Sequence, residues 1–572
     1  MSQSVDQPTA ENTRVQNTPR SSFTVIDPSR QDTSKSRPPS VGSPLDEKLA
    51  REEEDIERYG GDDPREPRPK SPLGGVPSLL PPPERDPNMA NWDGPDDPHN
   101  PQNWSIRRKW MITVVCIIMT VNVTFASSAP SSAAPRIMQE FHTSKEVSYL
   151  VTTVFLLGYV FGPMFWGPGS ELVGRRPIFI ITMTLYTLFH LGQGLAKNMQ
   201  TLLVTRFFVG FFAVAPVTNC GGVVADIWSA AGRGPAMSMF TASVFLGPVL
   251  GPIVAGFIVQ SHASWRWIFW VMMIFAGVCT AIMIPTLPET YAPVILLKKA
   301  KRLRKQDPVK YKDLYAEHEN QDWSIWGVIK RTLFRPFEML FMEPILFLIT
   351  IYLSIVYGLL YALFQAFPII FITIRHFTTG HDGLMFIGIG IGTTIGAFLN
   401  WVFSRHYPQL IKRWKGFPPP EERLYGAMLG SSLLVIGIFW LGWTGQYASV
   451  PWYVPGLSTI AIGAAIALIF VSFLSFLVDT YLQYSASAFA ANTMVRSAIA
   501  AAFPLFTTQM FTNLGVNWAC TLVGLLGLLF VPAPFLFYKY GAWIRGRSSF
   551  APCFDLVIAK ELEEEEKMGA KP

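Results

Sequence analysis

The stretch Gly167-Pro168-Gly169-Ser170-Glu171-Leu172-Val173-Gly174-Arg175-Arg176-Pro177 separates two apolar runs, 149–166 and 178–196. Each run is close to the ~20 residues that a helix needs to cross a bilayer. A short loop holding one carboxylate and two arginines between two such runs is a tight turn kept at a membrane face. Positive charge in short loops favours the cytoplasmic side, so this turn orients both of its neighbours.

Working outward, the rest of the chain repeats that pattern. Of its 572 residues, 49% are hydrophobic and only 15% are charged, where soluble domains carry about 25% charged residues. The formal net charge of +6 sits in loops and tails, not in a basic stripe interleaved with aromatics, which argues against nucleic-acid binding. Cys116, Cys220, Cys279, Cys520 and Cys553 are scattered, with neither metal-ligand spacing nor a disulfide framework. No metal, cofactor, catalytic triad or Walker-type phosphate loop is expected, which disfavours ATP-driven work and enzymatic chemistry.

Residues 1–106 are rich in Pro, Ser, Arg, Asp and Glu and are expected to be a disordered cytoplasmic tail. No basic segment followed by an apolar one stands at the start, so the first span is expected to act as the targeting signal. Twelve spans follow. Six lie near 111–130, 147–166, 178–196, 201–224, 237–260 and 267–286, within a bundle at 107–286. Six more lie near 344–367, 383–404, 424–443, 454–478, 487–511 and 516–538, within a second bundle at 344–538. A polar linker, 287–343, joins the halves, and 539–572 form a second cytoplasmic tail. Two six-span halves are the layout expected of repeated units, and basic residues at 298–305 and 405–415 place both ends inside.

The opening loop resembles the loop between spans two and three of the major facilitator superfamily, which reads Gly-x-Leu-Ala-Asp-Arg-x-Gly-Arg-Lys/Arg. Gly167, Gly174, Arg175 and Arg176 match, Glu171 stands at the usual aspartate, and Gly169 and Leu172 depart from the pattern. The form Pro-x-Ser-Glu-x-x-Gly-Arg-Arg-Pro is similar to the twelve-span drug:proton antiporters of fungi, as are 97–104 before the first span, Pro288-Glu289-Thr290 after the sixth, and 485–497 in the eleventh. The resemblance covers about residues 93–545. It implies an all-α integral membrane protein of the major facilitator fold, with 12 transmembrane helices in two pseudo-symmetric six-helix bundles.

The same resemblance and elementary electrostatics together select the site residues. Asp226 and Arg233 could bridge to Glu171 and Arg175, latching one face of the protein, although ordinary pairing at a loop edge would look the same. Arg206 lies inside the fourth span, where burial of a cation costs ~2.5–3.5 kcal/mol. It either faces a partner or wet cavity near the coupling machinery, or snorkels to the interface. His190 titrates in a useful range but can equally be hydrogen-bonded structure. Asn492 and Arg496 share a helix face that must look inward, with Asp479 expected within reach of it. Asn122, Tyr357, Tyr361, Phe364 and Gln365 are candidates for a substrate cavity, or simply packing.

Gly247, Pro248, Gly251, Pro252 and Gly256 in the fifth span resemble the antiporter motif Gly-Pro-x-x-Gly-Gly, with Ala255 replacing one glycine. Gly388, Gly392 and Gly396 form a matching stripe in the eighth, expected to let the halves approach closely. The function implied is proton-coupled export of hydrophobic or cationic toxic compounds across the plasma membrane by a monomer among membrane lipids. An uptake or polyamine carrier, or a non-transporting receptor on the same scaffold, are the alternatives.

Overall fold

Within hydrocarbon every backbone N–H and C=O must be satisfied inside the segment, and a helix does this locally. The apolar runs accordingly fold as helices in the computed structural model, which describes residues 88–569 except 95, 230, 231, 262 and 321–323. Most of the expected tail, 1–87, therefore lies outside the described residues.

The first half comprises α1 (Ile106–Ser128), α2 (Lys145–Val173), α3 (Arg175–Gly194), α4 (Met199–Ile227), α5 (Arg233–Gln260) and α6 (Arg266–Thr286). The second comprises α7 (Pro344–Phe367), α8 (Phe386–Phe403), α9 (Tyr425–Gly445) and α10 (Tyr453–Tyr481), then one helical stretch from Ser485 to Arg545. At 61 residues that stretch is far too long for one crossing at 1.5 Å per residue. Gly515 breaks it with φ 76° and ψ 162°, a backbone conformation that suits glycine. It thus divides into α11 (485–514) and α12 (516–545). Helix α3 is less apolar than its neighbours, carrying Arg, Thr, His and Gln, but packs between α4 and α6 like the rest. Twelve spans result.

Packing repeats with an offset of six. In the first half α2 packs on α4, α1 on α5, and α3 on both α4 and α6; in the second α8 packs on α10, α7 on α11, and α9 on both α10 and α12. The halves meet where α2 faces α11 and α5 faces α8, two contacts that a six-span shift exchanges. This is the signature of two repeats about a pseudo-two-fold axis.

The glycine stripes serve a different contact from the one expected. A Cβ at Gly251 would meet the Ala129 N–H of the loop after α1 at 2.8 Å, and one at Gly247 the Phe125 N–H of α1 at 2.5 Å. One at Gly396 would meet the Ala464 carbonyl of α10 at 2.4 Å, and Gly388 and Gly392 face α10 as well. These stripes draw helices together inside each half, not between halves. Of the named glycines, Gly256 alone faces the other half, 2.6 Å (as Cβ) from the Thr379 carbonyl. Pro248 and Pro252 lie within α5, each withholding the N–H that the carbonyl four residues earlier would otherwise receive.

The segments outside the spans are more ordered than the composition predicts. Residues 88–105 were expected to belong to the disordered tail, yet they pack on the linker. Met89 forms a parallel bridge with Tyr315, and Lys299 of the linker helix Ala292–Gln306 reaches Asp93 at 2.6 Å and the Asn91 carbonyl at 2.8 Å. Asp97 organises the turn by accepting from the Asp93 and His99 N–H groups. Those backbone bonds, with Lys299 nearby, hold its carboxyl below the usual range despite burial.

The end of the chain likewise docks as a helix, Phe554–Gly569, through Arg545. That guanidinium meets Glu421 at 2.9 and 2.8 Å and Asp555 at 2.9 and 2.8 Å, fully buried. Burial raises the Glu421 carboxyl, which Arg545 opposes. Arg545→Ala leaves two buried carboxylates without their cation, a loss of about 3–5 kcal/mol. Limited proteolysis is expected to cut 546–569 rapidly in that variant, and an unchanged digestion pattern would show the network to be dispensable.

Candidate functional site

The linker-bearing end of the bundles carries the charged loops. Gly174 turns the chain from α2 into α3 with φ 108°. Arg175, at the start of α3, donates to Ser170 Oγ at 2.6 Å and to Asp226 Oδ2, at the end of α4, at 3.4 Å. Its guanidinium lies 5.0 Å over the Tyr291 ring. Gly222 leaves room for it, since a Cβ there would stand 2.7 Å from Nη2. Of the proposed latch, then, Arg175 and Asp226 are brought together. Glu171 contributes its carbonyl, which meets His318 Nε2 at 3.0 Å. Arg176 reaches the Ile284 carbonyl at 3.3 Å. Arg233 stands within electrostatic range of Asp479 and Asp226 but pairs with neither. Gly167 meets open space.

Two further residues belong to this region: Glu289, of the Pro288-Glu289-Thr290 motif after the sixth span, and Arg423, which sequence reasoning missed. The Glu289 carboxylate accepts from the Arg175 N–H at 2.9 Å and the Arg176 N–H at 3.4 Å, capping α3 from the far side of α6. It also holds the Thr290 and Tyr291 N–H groups, both at 3.1 Å. Caps of this kind contribute about 1 kcal/mol, and a carboxylate at a helix N-terminus adds to that. Glu289→Ala is expected to lower the melting temperature by a few degrees in detergent; an unaltered melt would show that the cap adds no stability.

Arg423 is the second. It binds Asp479 at 2.8 Å and stacks 3.4 Å over the Tyr407 ring, while the Tyr407 hydroxyl also donates to Asp479 at 2.6 Å. Burial works against the Arg423 charge, but Asp479 and Tyr407 outweigh it and raise its pKa. The pair repeats Arg175–Asp226 six spans later, with an arginine at the entry to α9, an aspartate at the end of α10 and an aromatic ring beneath. Asp479 therefore belongs to this second clasp and not, as expected, to the neighbourhood of Arg496. The internal repeat was the signal that pointed to Arg423.

At the opposite end the two halves are joined. Gln260 of α5 accepts from Thr378 Oγ1 and the Gly380 N–H, each at 3.1 Å. Gln509 of α11 donates to Glu146 of α2 at 3.3 Å, and Thr153 of α2 donates to the Ala501 carbonyl of α11 at 2.9 Å.

Between these ends lies a buried polar cluster contributed by both halves. Tyr361 of α7 donates to Ser127 of α1 at 2.8 Å, and the Tyr357 hydroxyl lies 3.4 Å from that of Tyr361. Arg496 of α11 sits 4.8 Å over the Tyr357 ring and 5.3 Å over Phe470. Tyr159 of α2 lies within electrostatic range of both Arg496 and Arg206. Arg206 is fully buried and does not snorkel: it donates to the Val151 carbonyl of α2 and the Ala126 carbonyl of α1, both at 3.0 Å, and lies 4.5 Å over Phe155.

The remaining candidates surround the cluster. Asn122 is buried with both amide atoms unpaired, and Gln365 Oε1 and Asn492 Oδ1 are unpaired too. Asn492 Nδ2 reaches Thr350 at 3.3 Å. Phe364 packs on Tyr361 at 5.4 Å and on Phe386 at 5.3 Å. His190 is fully buried, its Nδ1 3.1 Å from Gln193 Oε1 and its ring against Tyr186 at 4.6 Å. No group of metal-ligating side chains occurs among the described residues.

Comparison with known proteins agrees with this architecture. The family model of the Major Facilitator Superfamily matches residues 116–504. The chain is 41% identical over 470 residues to a citrinin biosynthesis cluster transporter of Monascus ruber, covering 81% of this chain and 92% of that one. It is 40% identical to a multidrug transporter of Aspergillus fumigatus, covering 86% and 80%, and 43% identical to an efflux pump of Trichophyton rubrum, covering 84% and 80%. Among solved structures, the proton:xylose symporter XylE superposes with a TM-score of 0.56 at 16% identity, covering 79% of this chain and all of that one, a likeness of fold. By fold, internal repeat and family match, the chain belongs to the Major Facilitator Superfamily.

Proposed function

We propose that the protein is a proton-coupled efflux transporter of the plasma membrane that exports hydrophobic toxic compounds by alternating access. The observation that carries this reading is the buried cluster made jointly by α1, α2, α4, α7 and α11. It lies between the two halves, where rocking of one against the other exposes it first to one side and then to the other. The relatives named as an efflux pump and a multidrug transporter support outward transport of foreign compounds, and the biosynthesis-cluster relative supports export of a self-made metabolite. In this reading the linker and both chain ends are cytoplasmic, the protein works as a monomer, and the two Arg–Asp clasps close the cytoplasmic face when the far end opens.

The energy source follows from the same reading. No carboxylate stands in the middle of any span, so protons are carried by groups at the span ends, such as Asp226, or by the tyrosine–arginine cluster itself. Purified protein in liposomes tests the proposal. A lipophilic dye is expected to move only when a proton gradient is imposed, and cells lacking the protein should retain more of it. Ligand binding without flux would favour a receptor, and lowered dye retention in such cells would mean uptake.

A further inference from the structure

The central cluster holds two guanidinium groups and no acid. Arg206 leaves Nη1 unpaired and Arg496 leaves Nε unpaired. Arg496, buried at 5% exposure, makes no hydrogen bond or ion pair among the described residues, only its two ring contacts. Every aspartate and glutamate of the twelve spans lies within three residues of a helix end: Glu146, Glu171, Asp226 and Asp479. An arginine deep in a membrane protein ordinarily pairs with an acid or a carbonyl, because an uncompensated charge out of water costs several kcal/mol. Ring faces offset part of that cost. The rest is left for something that is not part of the chain.

We propose that the cluster binds the carboxylate of an organic acid with a flat apolar body, Arg496 holding the anion and the rings of Tyr357, Phe470 and Phe155 receiving the body. This rests on the efflux reading and narrows its cargo class. The Tyr357 hydroxyl, on the ring beneath the guanidinium and 3.4 Å from the Tyr361 hydroxyl, is a further donor; the Tyr361 proton is already given to Ser127. An anion recovers the missing counter-charge, whereas a cationic cargo meets two fixed charges of its own sign.

The test uses the full-length protein in nanodiscs and three probes that share one ring system: pyrenebutyrate, its methyl ester, and the corresponding trimethylammonium compound. The carboxylate is expected to bind about tenfold or more tighter than the ester, the scale of one charge-assisted hydrogen bond, and the ammonium compound weakest. Arg496→Gln should bring the carboxylate to the affinity of the ester while leaving the ester unchanged, and Arg496→Lys should restore part of the difference. The wild-type comparison stands even where a variant fails to fold. Equal binding of all three probes, or preference for the ammonium compound, overturns the anion site. Proton-driven export of the ester in liposomes would then leave the efflux reading intact. Absence of flux for all three would remove the efflux reading itself.

Discussion

Arg206→Ala is expected to abolish transport while leaving the protein at the cell surface. The side chain is fully buried and ties three helices: it lies on α4 and donates to carbonyls of α1 and α2. One of those carbonyls has a particular need. The Ala126 oxygen would ordinarily receive the N–H four residues on, but that residue is Pro130, which has none. Arg206 supplies the missing donor. Losing these two buried hydrogen bonds costs about 1–3 kcal/mol each, within the margin of a large helical bundle, so the fold should survive. What disappears is the fixed charge at the centre of the first half, and with it the field felt by Tyr159 and Tyr186. Dye flux in liposomes should fall to the rate of empty vesicles, with surface labelling unchanged. Normal flux would take Arg206 out of the mechanism.

Gly210→Val should instead prevent the protein from assembling. A Cβ at Gly210 would fall on the Phe155 carbonyl, and one at Gly158 would stand 2.5 Å from the Phe207 carbonyl. Helices α2 and α4 therefore touch backbone to backbone at this crossing. Overpacking ordinarily costs about 1–3 kcal/mol when side chains can yield; here the obstacle is main chain, which cannot. Size-exclusion chromatography is expected to find the variant aggregated. Gly167→Ala is the control, because its Cβ would meet nothing within 4 Å. A monodisperse Gly210→Val protein with normal melting would refute the close crossing.

How legible these features were in the sequence depended on the range of the interaction. The twelve spans could be read because each is a local property of about 20 apolar residues. The Arg175–Asp226 pair could be read because both residues sit at the boundary between apolar and polar sequence, where charges collect. The direction of the glycine stripes could not: the spacing of Gly388, Gly392 and Gly396 gives a helix face, and nothing local says whether α5 or α10 covers it. The placement of Asp479 failed for a related reason. Its partner Arg423 lies 56 residues away in a loop already crowded with basic residues, and only comparison of the two halves singles it out. The order of residues 88–105 was hidden because polar composition predicts solvation, while Asp97 and Lys299 give that segment a partner to fold against.

The joins at the end remote from the linker have a bearing on how the molecule would switch. Their polar part is a handful of hydrogen bonds around Gln260, Gln509 and Thr153, set in close packing where a Cβ at Gly256 or Gly380 would strike the opposite half. Each such bond is worth about 0.5–1.5 kcal/mol net. A single charge crossing 100 mV releases about 2.3 kcal/mol. On the proton-coupled reading proposed above, the electrical work of one or two protons is of the same order as a few of these hydrogen bonds.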